Sequence, residues 1–232
     1  MTPEERIIVA LDVPDADQAV LWAKRLAGRV GAFKIGLLLF TAAGPAVVSR
    51  IAVEGGGVFL DLKLHDIPNT VAAAVREAAR LGVSLLTVHA SGGAAMLRAA
   101  AEAAASPAPR RPKVLAVTVL TSLGAEDLAR AGIARSPEVQ VLALAEEAWL
   151  AGCDGIVASP REAGVLRAHL GAGPLIVTPG IRGPEDAAGD QRRTATAREA
   201  VDAGADYLVI GRPILAAPDP LAALDRILST LR

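Results

Sequence analysis

The basic charge of this chain is carried by 20 arginines and only four lysines. Two of those lysines stand where arginine would serve chemistry badly. Asp61 and Lys63 lie two apart in the run Val58-Phe-Leu-Asp61-Leu-Lys63-Leu, so on a strand their side chains share a face, and Asp66 follows just beyond. A carboxylate–ammonium–carboxylate array is expected. Placing it in an otherwise apolar strand for stability alone is an expensive choice, because desolvating the charges can outweigh their attraction. Its chemical use is clearer: a lysine kept protonated by flanking carboxylates can act as an acid or face developing negative charge. Arginine gives up a proton too reluctantly for that work. Asp12 and Lys34 end two earlier runs of the same kind. A second set, Thr178-Pro-Gly-Ile-Arg182, Gln191 and Ile210-Gly211-Arg212, offers forked donors to an oxyanion, with a glycine that permits close backbone approach.

Positioning these residues requires a frame that brings distant segments together. Short β-branched or Leu-rich runs begin near Ile7, Ala32, Val58, Leu85, Val114, Gly155, Leu175 and Tyr207. Each is almost continuously apolar, as in parallel strands buried on both faces. Between them lie Ala-rich amphipathic segments at Ala16 to Leu26, Pro45 to Val53, Val71 to Leu81, Ala94 to Ala104, Glu138 to Leu150, Arg161 to Leu170, Ala197 to Ala203 and Pro220 to Leu231. Asp15, Pro137 and Asp219-Pro220 are start signals, and Gly82, Gly152, Gly171 and Gly204 are stop signals. Strict β-then-α alternation, eight times over, predicts an α/β chain folded as a (β/α)₈ TIM barrel, one domain over residues 1–232. A doubly wound open sheet is the alternative. In a barrel, polar residues at the C-terminal strand ends converge on one mouth, and the loops after strands seven and eight commonly bind phosphate. Arg182 and Arg212 fall in those two loops. The connections Thr121 to Ser136 and Pro179 to Thr194 are longer than a barrel needs and read as lids or ligand clamps.

Composition narrows the classes. With 52% hydrophobic and 21% charged residues in a chain of 232, a large core can form and disorder is excluded. The balance of 24 basic against 25 acidic residues leaves no electrostatic footprint for nucleic acid or an anionic membrane. The longest apolar stretch, Leu37 to Val48, is broken by Thr41, Gly44 and Pro45 and is too short to span a bilayer. The acidic start lacks a signal-peptide core, so a cytoplasmic location is expected. Cys153, the single cysteine, excludes an intrachain disulfide and reads as buried and inert. His65, His89 and His169 are too scattered to argue a metal site. Arg192 and Arg193 read as lid or surface charges.

The segment Val58-Phe-Leu-Asp61-Leu-Lys63-Leu-His-Asp66-Ile-Pro-Asn-Thr70-Val71 resembles the signature of the orotidine 5′-monophosphate decarboxylase family. The resemblance continues through Ala10-Leu-Asp12, Phe33-Lys34-Ile-Gly36, Val117-Thr-Val-Leu-Thr121-Ser122, Thr178-Pro-Gly-Ile-Arg182, Asp190-Gln191-Arg192-Arg193 and Ala205 to Ile214, in family order. It implies that Lys63 protonates C6 of the pyrimidine, that Asp61 lies beside the departing carboxylate, and that Lys34 completes the charged network and contacts ribose. It further implies that Asp12 binds a ribose hydroxyl, that Arg182, Gln191, Gly211 and Arg212 hold phosphate, and that Thr121 with Ser122 helps close over the pyrimidine. By the same resemblance, Asp66 and Thr70 would reach the neighbouring subunit's site in a homodimer, and no metal or organic cofactor would be used.

The chemistry implied has its own physical demands. Loss of CO₂ from C6 leaves an electron pair in an orbital not conjugated with a carbonyl, so electrostatics must carry a barrier reduction in the upper part of the ~8–23 kcal/mol that enzymes supply. Remote phosphate contacts can contribute by closing loops around the reacting ring. Two other readings stay open. One is a Mg²⁺-dependent sugar-phosphate decarboxylase or aldolase on the same barrel, which by resemblance carries an acidic residue where this chain has Lys34. The other is a non-catalytic barrel that only binds phosphorylated ligands, for which the Lys34, Asp61, Lys63 and Asp66 array would be superfluous.

Overall fold

Apolar strands buried on both faces need helices outside and a filled interior between them. A computed structural model, which describes residues 1–105, 110–183 and 193–232, meets that need with a closed barrel. Its strands are β1 (Ile7–Ala10), β2 (Ala32–Gly36), β3 (Gly57–Leu64), β4 (Leu85–His89), β5 (Lys113–Val117), β6 (Gly155–Val157), β7 (Leu175–Thr178) and β8 (Tyr207–Ile210). All pairings are parallel and in chain order, and β8 returns to β1. The closed ring rules out the open-sheet alternative.

The helices are α1 (Pro3–Arg6), α2 (Ala16–Leu26), α3 (Leu37–Ala43), α4 (Ala46–Ala52), α5 (Pro68–Arg80), α6 (Gly93–Ala104), α7 (Ala125–Arg130), α8 (Pro137–Leu150), α9 (Ala163–Leu170), α10 (Ala197–Asp202), α11 (Arg212–Leu215) and α12 (Pro220–Thr230). Each of the eight expected helical segments corresponds to one of them. The start signals work as caps: Asp15 accepts from the Gln18 N–H, and Asp219 accepts from both Leu221 and Ala222 N–H groups. Gly82, Gly152, Gly171 and Gly204 all take positive φ at helix ends. Sequence periodicity does not reveal α1, α3, α7 and α11, none longer than seven residues. None of the four buries more than one residue, so none shows the repeating apolar face that marks a helix in sequence. Among the described residues no helix is long and apolar enough to cross a membrane.

Two apolar layers hold the molecule together. The outer one joins the outward strand residues, such as Val9, Ile35, Leu60 and Leu86, to helix residues such as Leu26, Val75, Leu97 and Leu166. The inner one is a plug of Ile8, Ala10, Ala32, Phe59, Leu85, Leu115, Val177 and Val209 inside the ring. Strand register sets Ala10 beside Lys34, Lys34 beside Phe59, and Gly36 beside Asp61. Side chains at matched positions of parallel neighbours point the same way, so the charged residues form the layer at the edge of the plug.

Candidate active site

Asp61 organises that layer. It is buried, with 9% of its surface exposed, and its carboxylate accepts from Lys63 Nζ at 2.8 and 2.9 Å and from the Thr87 hydroxyl at 3.0 Å. Lys34 Nζ lies 3.6 Å from its other side and donates to Asp12 at 3.0 Å. The result is a line of alternating charge, Asp12–Lys34–Asp61–Lys63. Burial alone would push the Asp61 carboxyl up, but the Lys34 and Lys63 charges, with hydrogen bonds from Lys63 and Thr87, hold it below the usual carboxylate range. The anion is thus held in place between two cations. Gly36 leaves room for this: a Cβ there would sit 2.9 Å from Lys34 Nζ.

Simple alternation correctly puts Asp61 and Lys63 on one face, but the route is irregular. Between the pairs Leu60↔Leu86 and Leu64↔Val88, β3 advances four residues while β4 advances two. The bulge puts Lys63 at φ +52°, the only left-handed non-glycine residue among those described. Such a conformation costs about 1–2 kcal/mol for an L-residue and persists where the surroundings over-determine it. Thr87 supplies part of that hold, because its hydroxyl accepts the Lys63 backbone N–H at 2.9 Å while donating to Asp61. Sequence reasoning misses Thr87. Its signal is a lone hydroxyl in the apolar run Leu85-Leu-Thr-Val, fully buried in the fold.

A cavity of about 510 Å³ opens above this layer. Asp12, Lys34, Asp61 and Lys63 line it together with Thr121, Ser122, Arg182, Gly211 and Arg212, and a Cβ on Gly211 would lie 3.7 Å from the Asp12 carboxylate. The loops after β7 and β8 therefore present both arginines to the same space. Gly211 belongs there for steric reasons, since a Cβ would come within 3.3 Å of the Ala10 side chain. Asp66 and Thr70 do not line this cavity. Both are exposed, and the Asp66 carboxylate accepts from the Ile67 N–H at 2.6 Å instead of meeting Lys63. The array expected from Asp61, Lys63 and Asp66 is therefore built within the chain from Lys34 and Asp12, because Asp66 lies past the strand end where alternation no longer directs it. Gln191 lies outside the described residues.

The model of the orotidine 5′-phosphate decarboxylase / HUMPS family matches residues 5–227. The chain belongs to that family. Among its curated members, the orotidine 5′-phosphate decarboxylase of Anaeromyxobacter dehalogenans is 54% identical over 231 residues, covering the whole of both chains. The orotidine 5′-phosphate decarboxylase of Moorella thermoacetica is 55% identical over 229 residues, 96% of this chain and 90% of that one. A crystal structure of the family from Lactobacillus acidophilus superposes with a TM-score of 0.85 at 38% identity, over 97% of this chain and 98% of the other.

Within this family member one expectation is overturned. Arg193 is not a surface charge: its guanidinium pairs with the buried Glu162 and donates to the Val119 and Leu120 carbonyls at 3.1 and 3.0 Å. A run of arginines in a polar loop carries no local sign that Arg193 is buried. Cys153 is buried as expected, and burial, then the Asp154 charge, push its thiol up to about 12.

Proposed function

We propose that this chain, as one barrel domain over residues 1–232, decarboxylates orotidine 5′-monophosphate to UMP without metal or organic cofactor, as a step of de novo pyrimidine synthesis in the cytoplasm. The observation that carries the reading is the Asp12–Lys34–Asp61–Lys63 line, which shares one cavity with Arg182 and Arg212. Family membership and full-length identity above one half to decarboxylases of that name support it.

The step balances with this chain's own groups. The bond from C6 to the carboxylate breaks, CO₂ leaves, and the electron pair stays on C6. Lys63 Nζ–H delivers a proton there, leaving an amine that solvent reprotonates. Asp61, ionised and gripped by Lys63 at 2.8 Å, aims the ammonium before the reaction begins, so little reorganisation is needed at the transition state. Arg182, Gln191, Gly211 and Arg212 take the phosphate, Asp12 and Lys34 the ribose, and Thr121 with Ser122 the edge of the pyrimidine. Asp66 and Thr70 complete a second subunit's site in a homodimer. Their exposure away from the cavity of their own chain, next to an Ile67 that is 67% exposed, supports that assignment. A Mg²⁺-dependent sugar-phosphate lyase fits less well, because Lys34 and Lys63 set two cations where a divalent ion would need oxygen ligands.

The deciding assay is CO₂ release from orotidine 5′-monophosphate by the purified protein in excess EDTA. Turnover is expected, with Lys63→Ala reduced by at least about 10³-fold while still folded and able to bind UMP. Wild-type-like turnover in Lys63→Ala removes the lysine from its role. An inactive wild type that releases CO₂ from a keto-sugar phosphate once Mg²⁺ is added means that the substrate is wrong.

A further inference from the structure

Arg193 and Glu162 form a buried ion pair outside the cavity lining, and neither is used by the chemistry above. Their side chains are 11% and 7% exposed. Arg193 Nη1 pairs with one Glu162 oxygen, and the other accepts the Ser159 N–H at 2.9 Å together with the Ser159 hydroxyl. Arg193 Nη2 reaches a different strand end, donating to the carbonyls of Val119 and Leu120. Thr121 and Ser122, which line the cavity, come next in the chain.

The other side of Arg193 leads to the phosphate end. Two residues on, Ala195 accepts from the Arg182 N–H at 2.9 Å and forms a parallel bridge with Ile181. One guanidinium therefore ties the base of the β7 connection, which carries Arg182, to the turn after β5 and to the segment after β6.

Stability does not account for this tie. A buried ion pair is often no better than an apolar pair of the same size. This one also leaves Arg193 Nε buried with no hydrogen-bond partner among the described residues. What an apolar pair could not do is fix two backbone carbonyls and a carboxylate relative to one another. We propose that Arg193 is a positioning residue that couples phosphate binding at the Arg182 end to the placement of Thr121 and Ser122 over the ring. The inference rests on the orotidylate reading. It requires that a substrate without phosphate gain nothing from the tie, since binding energy remote from the reacting atoms is what the tie transmits.

The experiment compares kcat/KM on orotidine 5′-monophosphate and on orotidine, which lacks the phosphate, for wild type, Arg193→Met and Arg193→Lys, with a thermal melt of each. Arg193→Lys keeps the charge beside Glu162 but cannot span both carbonyls, so it decides the matter if Arg193→Met does not fold. The expected result is a loss of about 10–100-fold on the nucleotide with the nucleoside reaction within about threefold of wild type. Equal losses on both substrates, or no loss on the nucleotide, overturn the coupling and leave Arg193 a structural residue. A wild-type protein inactive on the nucleotide overturns the substrate reading and the coupling together.

Discussion

Thr87 gives its one hydroxyl proton to Asp61 and receives the Lys63 backbone N–H, and so supports both ends of the proposed proton donor. Valine matches its shape and removes both bonds. In Thr87→Val the Lys63 N–H loses its partner and Asp61 loses a donor, an expected destabilisation of about 1–3 kcal/mol by urea titration. A loosened ammonium should also lower kcat while KM changes little, because the nucleotide's phosphate and ribose contacts are untouched. Thr87→Ser should restore both quantities. If Thr87→Val melts and turns over like wild type, the left-handed backbone at Lys63 is held by something else.

Helix α12 packs Leu224 and Leu228 into the outer layer and starts at Asp219, whose carboxylate accepts two N–H groups at 3.1 Å. Asp219→Ala should cost about 0.5–2 kcal/mol in urea unfolding, with kcat/KM unchanged, because the cap lies outside the cavity lining. The same cap is legible in the amino-acid sequence alone, as are all eight strands, which read as apolar runs, and eight of the described helices, each of which buries two or more residues. The helices α3 and α7 are not: α3 runs straight on from β2 and buries only Leu39, and α7 buries only Leu128. The site divides in the same way. Asp12, Lys34, Asp61, Lys63, Arg182 and Arg212 are legible because strand ends of a barrel converge. Thr87 and Glu162 act through hydrogen bonds to groups far away in the chain, which no local pattern records.

For the whole molecule, two titrations near the candidate site contribute to the acid side of stability. His89, half-buried at the end of β4, is held below the usual histidine value by burial first, then by the His65 and Lys63 charges, against the pull of Asp61. The folded protein thus prefers the neutral ring, and below about 6.5 the unfolded chain binds the extra proton. Stability should be flat above that pH and fall as pH drops from it toward the folded value. Asp61 has its carboxyl lowered, so its contribution is complete above the unfolded value near 4 and is lost only as pH falls through the lower folded one. Thermal melts across pH ~5–8 should show the first decline, and His89→Asn should flatten it while leaving the second window unchanged. A slope that survives His89→Asn assigns the titration to another group.

The pairing of β8 with β1 joins Ile7 to Leu208 and Val9 to Ile210, the strand partners farthest apart in the chain. Asp12 follows one of these strands and Arg212 the other, and Gly211 rests against Ala10 at the seam. Without β8 the remaining seven strands would have two unpaired edges, and the cavity would lack Gly211 and Arg212. The pairing that closes the ring is thus the same one that completes the site. A nucleotide that contacts both Asp12 and Arg212 should therefore act as a clasp on the seam, and slowed hydrogen exchange in β1 and β8 on adding UMP is the expected sign of it.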